Sequence, residues 1–282
     1  MRPISNRLTS QFRFAKIRHA AILLAALLFA TLPLLAQSPA PLRIAAAADL
    51  EPVLPPILAQ FEKSTGIHAE VAYQASAALT TQIQNGAPFD LFLSADLGYP
   101  KRLIDLGVAD TAGVLAANGQ SDSSSPVTYA RGTLVLWTRK DSHWPTPSLA
   151  TLTDPALQRL AIANPDRAPY GKSAIAALTS LKLLDQLKPK FVTAQNIAQT
   201  AQFAESGNAD AGLISLTSAK TEHLALIGSY FVIPRDLYPP IEQGAVIVNK
   251  SSQHQNARKF LDFLLSTPIQ QQLAKSGLTP VK

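Results

Sequence analysis

From residue 42 onward, short apolar runs alternate with longer stretches in which apolar positions recur every three to four residues. The runs at 42–46, 67–72, 91–94, 133–137, 160–163, 211–214, 231–233 and 245–248 have the length and composition of strands. The stretches between them have helical spacing. Ala257, Phe260, Leu261 and Leu264, for example, fall on one face of a helix. This alternation predicts an α/β protein with mostly parallel sheets. Periodicity alone leaves open whether the about 240 residues involved form one domain or two.

Local signals refine the pattern. Thr267 as N-cap, Pro268 at the first helical position and Gly277 as a stop delimit a closing helix. Pro55-Pro56 interrupts the stripe of Leu50, Val53, Leu54, Ile57, Leu58 and Phe61, which predicts a core-facing helix with an irregular start. The serine-rich run 121–126 precedes a strong strand and reads as a loop near a domain crossing.

Residues 1–36 do not fit the alternation. Arg2, Arg7, Arg13, Lys16 and Arg18 precede an apolar run at 20–32, followed by Pro33 and the small residue Ala36. This is the pattern of a secretory signal peptide, with cleavage after Ala36 or Ala40, and the run is short for a bilayer span. The chain has no cysteine, so the expected product has neither disulfides nor a lipid-anchor site. It is expected to be free in the periplasm. Five of the 25 basic residues and none of the 19 acidic ones lie in the leader, so the remainder is nearly neutral. That removes the main support for a nucleic-acid partner.

Enzymatic constellations are missing from the sequence. Beyond the leader, His68, His143, His223 and His254 stand apart without metal-ligand spacing, and no Gly-x-Ser-x-Gly elbow occurs. Gly171-Lys172-Ser173 resembles the end of a phosphate-binding loop, but Asp166 stands where the earlier glycine is required. Asp90 and Asp96 could share a strand face, although aspartates at strand ends more commonly cap turns. What remains are four places where a strand runs into a helix through small residues or hydroxyls: 45–50, 74–79, 169–173 and 196–197. Helix starts of this kind expose free N–H groups at the positive end of a dipole and can hold anions, or they can simply allow close packing.

At these residues the chain resembles the periplasmic molybdate-binding proteins of ABC transporters. The resemblance rests on Ala46-Ala47-Ala48-Asp49-Leu50, on Phe61-Glu62-Lys63-Ser64-Thr65-Gly66, on the block from Gln82 through Pro88-Phe89-Asp90 to Ser94-Ala95-Asp96, and on 244–280. It implies a type II binding-protein fold with two α/β lobes and two hinge crossings, near 129–132 and near Gln243. The implied organisation is a leader at 1–36, a first lobe at 42–130 and 243–282, and a second lobe at 131–242. The implied function is capture of molybdate or tungstate for an ABC importer's membrane permease, as a monomer, with no catalytic residue, no cofactor and no direct metal-ion ligand.

The same resemblance assigns the oxyanion to Asp49, Ser76, Tyr170, Ile197 and Ser215. Tyr170 and Ile197 would contribute backbone N–H groups, and Ser215 stands where many members have a tyrosine. Asp49 stands where many have a serine, and an ionised carboxylate cannot donate. Its side chain is expected to cap its own helix, to accept the proton of an oxyanion such as phosphate or arsenate, or to be neutralised by Lys172. Binding of another solute, a secreted enzyme on the same scaffold and a membrane-tethered interaction domain are the alternatives.

Overall fold

The computed structural model describes residues 40–111 and 124–281. The leader and part of the serine-rich run lie outside the described residues, and 41–282 form one compact unit. The strands are β1 (Leu42–Ala47), β2 (Ala69–Gln74), β3 (Leu91–Ser94), β4 (Ala109–Asp110), β5 (Val127–Gly132), β6 (Leu134–Arg139), β7 (Leu160–Ala163), β8 (Phe191–Ala194), β9 (Ala211–Ser215), β10 (Gly228–Val232) and β11 (Ile241–Val248). The helices are α1 (Leu54–Thr65), α2 (Ser76–Gln84), α3 (Gly98–Asp105), α4 (Pro169–Ser180), α5 (Leu184–Leu187), α6 (Ile197–Glu205), α7 (Leu216–Ala219), α8 (Glu222–Ile227), α9 (His254–Leu264) and α10 (Thr267–Lys275).

Two sheets result. One runs β2-β1-β3-β11-β4 with β5 also paired to β11, and the other runs β10-β6-β9-β7-β8. The expectation of mostly parallel sheets holds for β2-β1-β3 and β8-β7-β9 only. The remaining pairings, β11 with β3, β4 and β5, β10 with β6, and β6 with β9, are antiparallel. The chain passes between sheets at Thr133 and again after β10, and β5 and β11 lie side by side where it does so. These connections make the fold two-lobed.

Each sheet carries its own core. Phe61 of α1 meets Phe260 of α9 edge-on at 5.1 Å between ring centres, over Ile44, Leu91 and Ile247. Leu134, Leu136, Leu160, Ile162 and Leu213 anchor the second core. Full burial of such side chains contributes about 1.5–3 kcal/mol each. Ala257, Phe260, Leu261 and Leu264 are all buried, as their spacing predicts.

Pro55 and Pro56 sit in the first turn of α1, where their missing N–H groups break no helical bond, and a separate 3-10 turn at Ala48–Leu50 precedes that helix. Ser266, one residue earlier than expected, is the N-cap of α10, and Gly277 beyond it has φ 103°, a conformation that favours glycine. No helix among the described residues is long and apolar enough to cross a membrane.

Candidate functional site

The start of α4 is packed tightly enough to show why its sequence is small. A Cβ on Gly171 would lie 2.2 Å from the Ala163 carbonyl oxygen at the end of β7, and one on Gly132 would lie 2.3 Å from the Tyr170 hydroxyl. Those two glycines let α4 lie against its sheet and let the Tyr170 ring reach the crossing between lobes.

The first turns of α2, α4 and α6 meet around one small cleft, together with the 3-10 turn at Ala48–Leu50. Ala47, Asp49, Ser76, Ala95, Tyr170 and Ile197 are among its lining residues. The caps of α2 and α4 are Ala75 and Ala168, which supply no side-chain acceptor, and α6 is capped by Asn196 through the Gln199 N–H. The first N–H groups of a helix have no partner within it, so three positive helix ends converge on one small space.

Four of the five expected residues are thus brought together. Ser76 is buried, and its Oγ accepts the Ala95 N–H at 3.1 Å, which leaves its proton to donate. Ile197 lines the cleft at the first position of α6. Tyr170 contributes more than a backbone group, since its hydroxyl donates to Asp49 Oδ2 at 3.1 Å across the lobes. Burial, and next the charge of Asp49, pushes that hydroxyl well above its ordinary range.

Ser215 is not among the residues lining the cleft. Its Oγ accepts the Ser218 N–H at 3.2 Å and so caps the short helix α7. It lies behind the site, 2.9 Å from the Thr217 hydroxyl that donates to the Asp49 carbonyl oxygen at 2.8 Å. A serine opening a helix with Ser218 three residues on is a readable capping signal.

Asp49 neither caps its own turn nor pairs with Lys172. The residue preceding its 3-10 turn is Ala47, and the Asp49 carboxyl does not cap that turn. It turns instead toward the second lobe and the hinge, where Oδ2 accepts from Tyr170 and from the Gln243 side-chain amide. Lys172 does not neutralise it, because its ammonium lies 3.8 Å from Asp96 and 4.8 Å from the centre of the Tyr99 ring. Burial raises the Asp49 carboxyl from 3.8 to about 6, against the lowering effect of Gln243, Tyr170 and its own backbone N–H. Asp49 Oδ1 and Gln243 Oε1 are buried without a partner.

Gln243 and Thr217 have no counterpart in the sequence-predicted site. The one signal for Gln243 is its place as a polar residue, after Ile241 and Glu242, directly before the apolar end of β11 at the hinge. Asp90 and Asp96 both serve structure: Asp90 accepts the Arg43 N–H and the Ser251 hydroxyl, and Asp96 accepts the Tyr99 N–H at the start of α3. No group of three or more His, Cys, Asp or Glu that could hold a metal ion occurs among the described residues.

Comparison with known proteins places this architecture. The chain is 36% identical to the molybdate-binding protein ModA of Azotobacter vinelandii over 229 residues, covering 81% of this chain and 86% of that one. It is 34% identical to the molybdate-binding protein ModA of Rhodobacter capsulatus over 233 residues, covering 83% and 86%. The solved periplasmic molybdate-binding protein of Azotobacter vinelandii superposes with a TM-score of 0.76 at 29% identity, over 86% of this chain and all of that one. The model of the family described as bacterial extracellular solute-binding protein matches residues 42–279, and the chain belongs to that family.

Proposed function

We infer that the protein captures molybdate or tungstate between its two lobes and delivers it to the membrane permease of an ABC importer. The carrying observation is the cleft itself: three helix N-termini and the Ser76 hydroxyl point at one small space that contains no lysine, arginine or histidine. Such a cage favours an anion through N–H and O–H donors rather than a counter-charge. The two relatives named as molybdate-binding proteins support the choice of anion.

In this reading Asp49, Ser76, Tyr170 and Ile197 surround the oxyanion, and Ser215 supports Asp49 from behind through Thr217. The first lobe comprises 42–130 and 243–282, and the second comprises 131–242. The protein acts by binding and release, needs no cofactor, and works as a monomer in the periplasm after removal of the leader at 1–36.

A panel of molybdate, tungstate, sulfate and phosphate, read by thermal unfolding of the chain without its leader, tests this. Molybdate and tungstate are expected to raise the melting temperature, since a ligand at 100 times its Kd adds about 2.7 kcal/mol to the native state. A rise with phosphate alone would refute the molybdate assignment.

A further inference from the structure

Asp49 introduces a chemical problem that the helix ends do not solve. Its carboxyl is completely buried, lines the cleft meant for an anion, and holds one oxygen, Oδ1, with no partner. An ionised carboxylate beside a dianion would repel it strongly where water is excluded.

The surroundings offer no compensating cation. Tyr170 from α4 and Gln243 from β11 donate to Oδ2, and Tyr129 from β5 acts at longer range. The elements packed on the Ala48–Leu50 turn are α6, α7 and β2, whose titratable side chains are Glu205, Glu70 and Tyr73. None of these acts on the Asp49 carboxyl. The nearby charges on α4, β5 and β11 are committed elsewhere, Lys172 to Asp96 and Arg131 to Glu242. Oδ2 is occupied by two donors, so a proton added to the group belongs on Oδ1.

We propose that Asp49 is a specificity-determining residue that binds the oxyanion as a neutral acid, its Oδ1–H donating to an oxygen of the ligand. This rests on the molybdate reading above. In the balanced step, one proton from solvent joins the ionised carboxylate as the dianion enters, one O–H bond forms on Asp49, and the closed site keeps the charge of the ligand alone. Release reverses the step and returns the proton to water. Because burial already brings this carboxyl to about 6, the proton is available near neutrality.

Calorimetric titration with sodium molybdate, in two buffers of different ionisation enthalpy, measures the protons taken up. The wild type should take up about one proton per molybdate above neutrality, and its Kd should weaken by about tenfold for each pH unit through the alkaline range. Asp49→Asn, whose amide donates without titrating, should bind with no proton uptake and a flat pH profile. Asp49→Ser should do the same, and covers the case in which the asparagine variant fails to fold.

Binding of molybdate by the wild type without proton uptake, or a variant that keeps the wild-type slope, would overturn the role of Asp49 while leaving the molybdate reading intact. If the wild type binds neither molybdate nor tungstate, both the molybdate reading and the role of Asp49 fall.

Discussion

The two lobes touch in two places that are physically unlike. At the floor of the cleft the bonds are buried: Tyr170 and Gln243 to the Asp49 carboxyl, and Thr217 to its carbonyl oxygen. At the rim the contacts are wet: Lys172 with Asp96 and Tyr99, the Tyr99 hydroxyl with the Asp166 carbonyl oxygen at 3.4 Å, and the Ala77 N–H with the Arg167 carbonyl oxygen at 3.2 Å. Gln243 reaches Asp49 from the hinge strand β11, and the other contacts of both sets bridge the gap between lobes. Only the floor bonds are removed from water, so only there does losing one partner leave the other stranded at full desolvation cost. The floor should therefore set the energy of closure, and the rim should mainly guide its geometry.

The sharpest way to break this contrast is through pH. The Asp49 carboxyl titrates near 6 in the fold and at 3.8 when exposed, so the native state binds the proton more tightly. Its contribution is fully present below the unfolded value and is lost as pH rises through the folded one, a swing of about 3 kcal/mol in the unliganded protein. Urea unfolding of wild type and Asp49→Asn across this range should show a decline in the wild type that the variant lacks. Parallel curves would mean that the fold does not shift the Asp49 carboxyl, and the contrast between floor and rim would fail.

Gln243→Leu should come next, costing about 2 kcal/mol because Asp49 Oδ2 loses a buried donor. The denaturant midpoint reads it, and the loss should shrink at acid pH, where the carboxyl is neutral. Tyr170→Phe deletes one hydroxyl from the same oxygen and should cost about 1 kcal/mol by the same measurement. At the rim, Lys172→Ala should change stability by less than about 0.5 kcal/mol, and added salt should erase even that. A rim effect as large as that of Gln243→Leu would invert the proposed division.

The sequence disclosed the parts of this molecule that depend on patterns of apolar residues. Strands β1, β3, β6, β7, β9 and β11 are apolar runs, and the buried face of α9 is visible in its spacing. The two-residue β4 has too little pattern to see, β8 mixes Thr193 into a four-residue run, and β5 carries polar Thr128 and Arg131 among its apolar residues because it crosses between lobes. At the site, Ser76 and the helix starts were legible as strand-to-helix junctions with small residues. The direction of the Asp49 carboxyl was not, because it depends on Tyr170 and Gln243, 121 and 194 residues away along the chain. Local signals do not carry contacts at that separation. Ser215 stands outside the cleft lining for the opposite reason: its hydroxyl is engaged by the N–H of Ser218, three residues away.

The alanine caps of α2 and α4 bear on how this protein can diverge. Donors that belong to the main chain are indifferent to which side chain follows them, so positions such as Ile197 can drift among residues of similar bulk while the cleft keeps its preference for negative charge. Descendants of this scaffold could change much of their lettering around the pocket and still recognise the same guest, as long as Gly132 and Gly171 stay small enough for the backbone to hold its course.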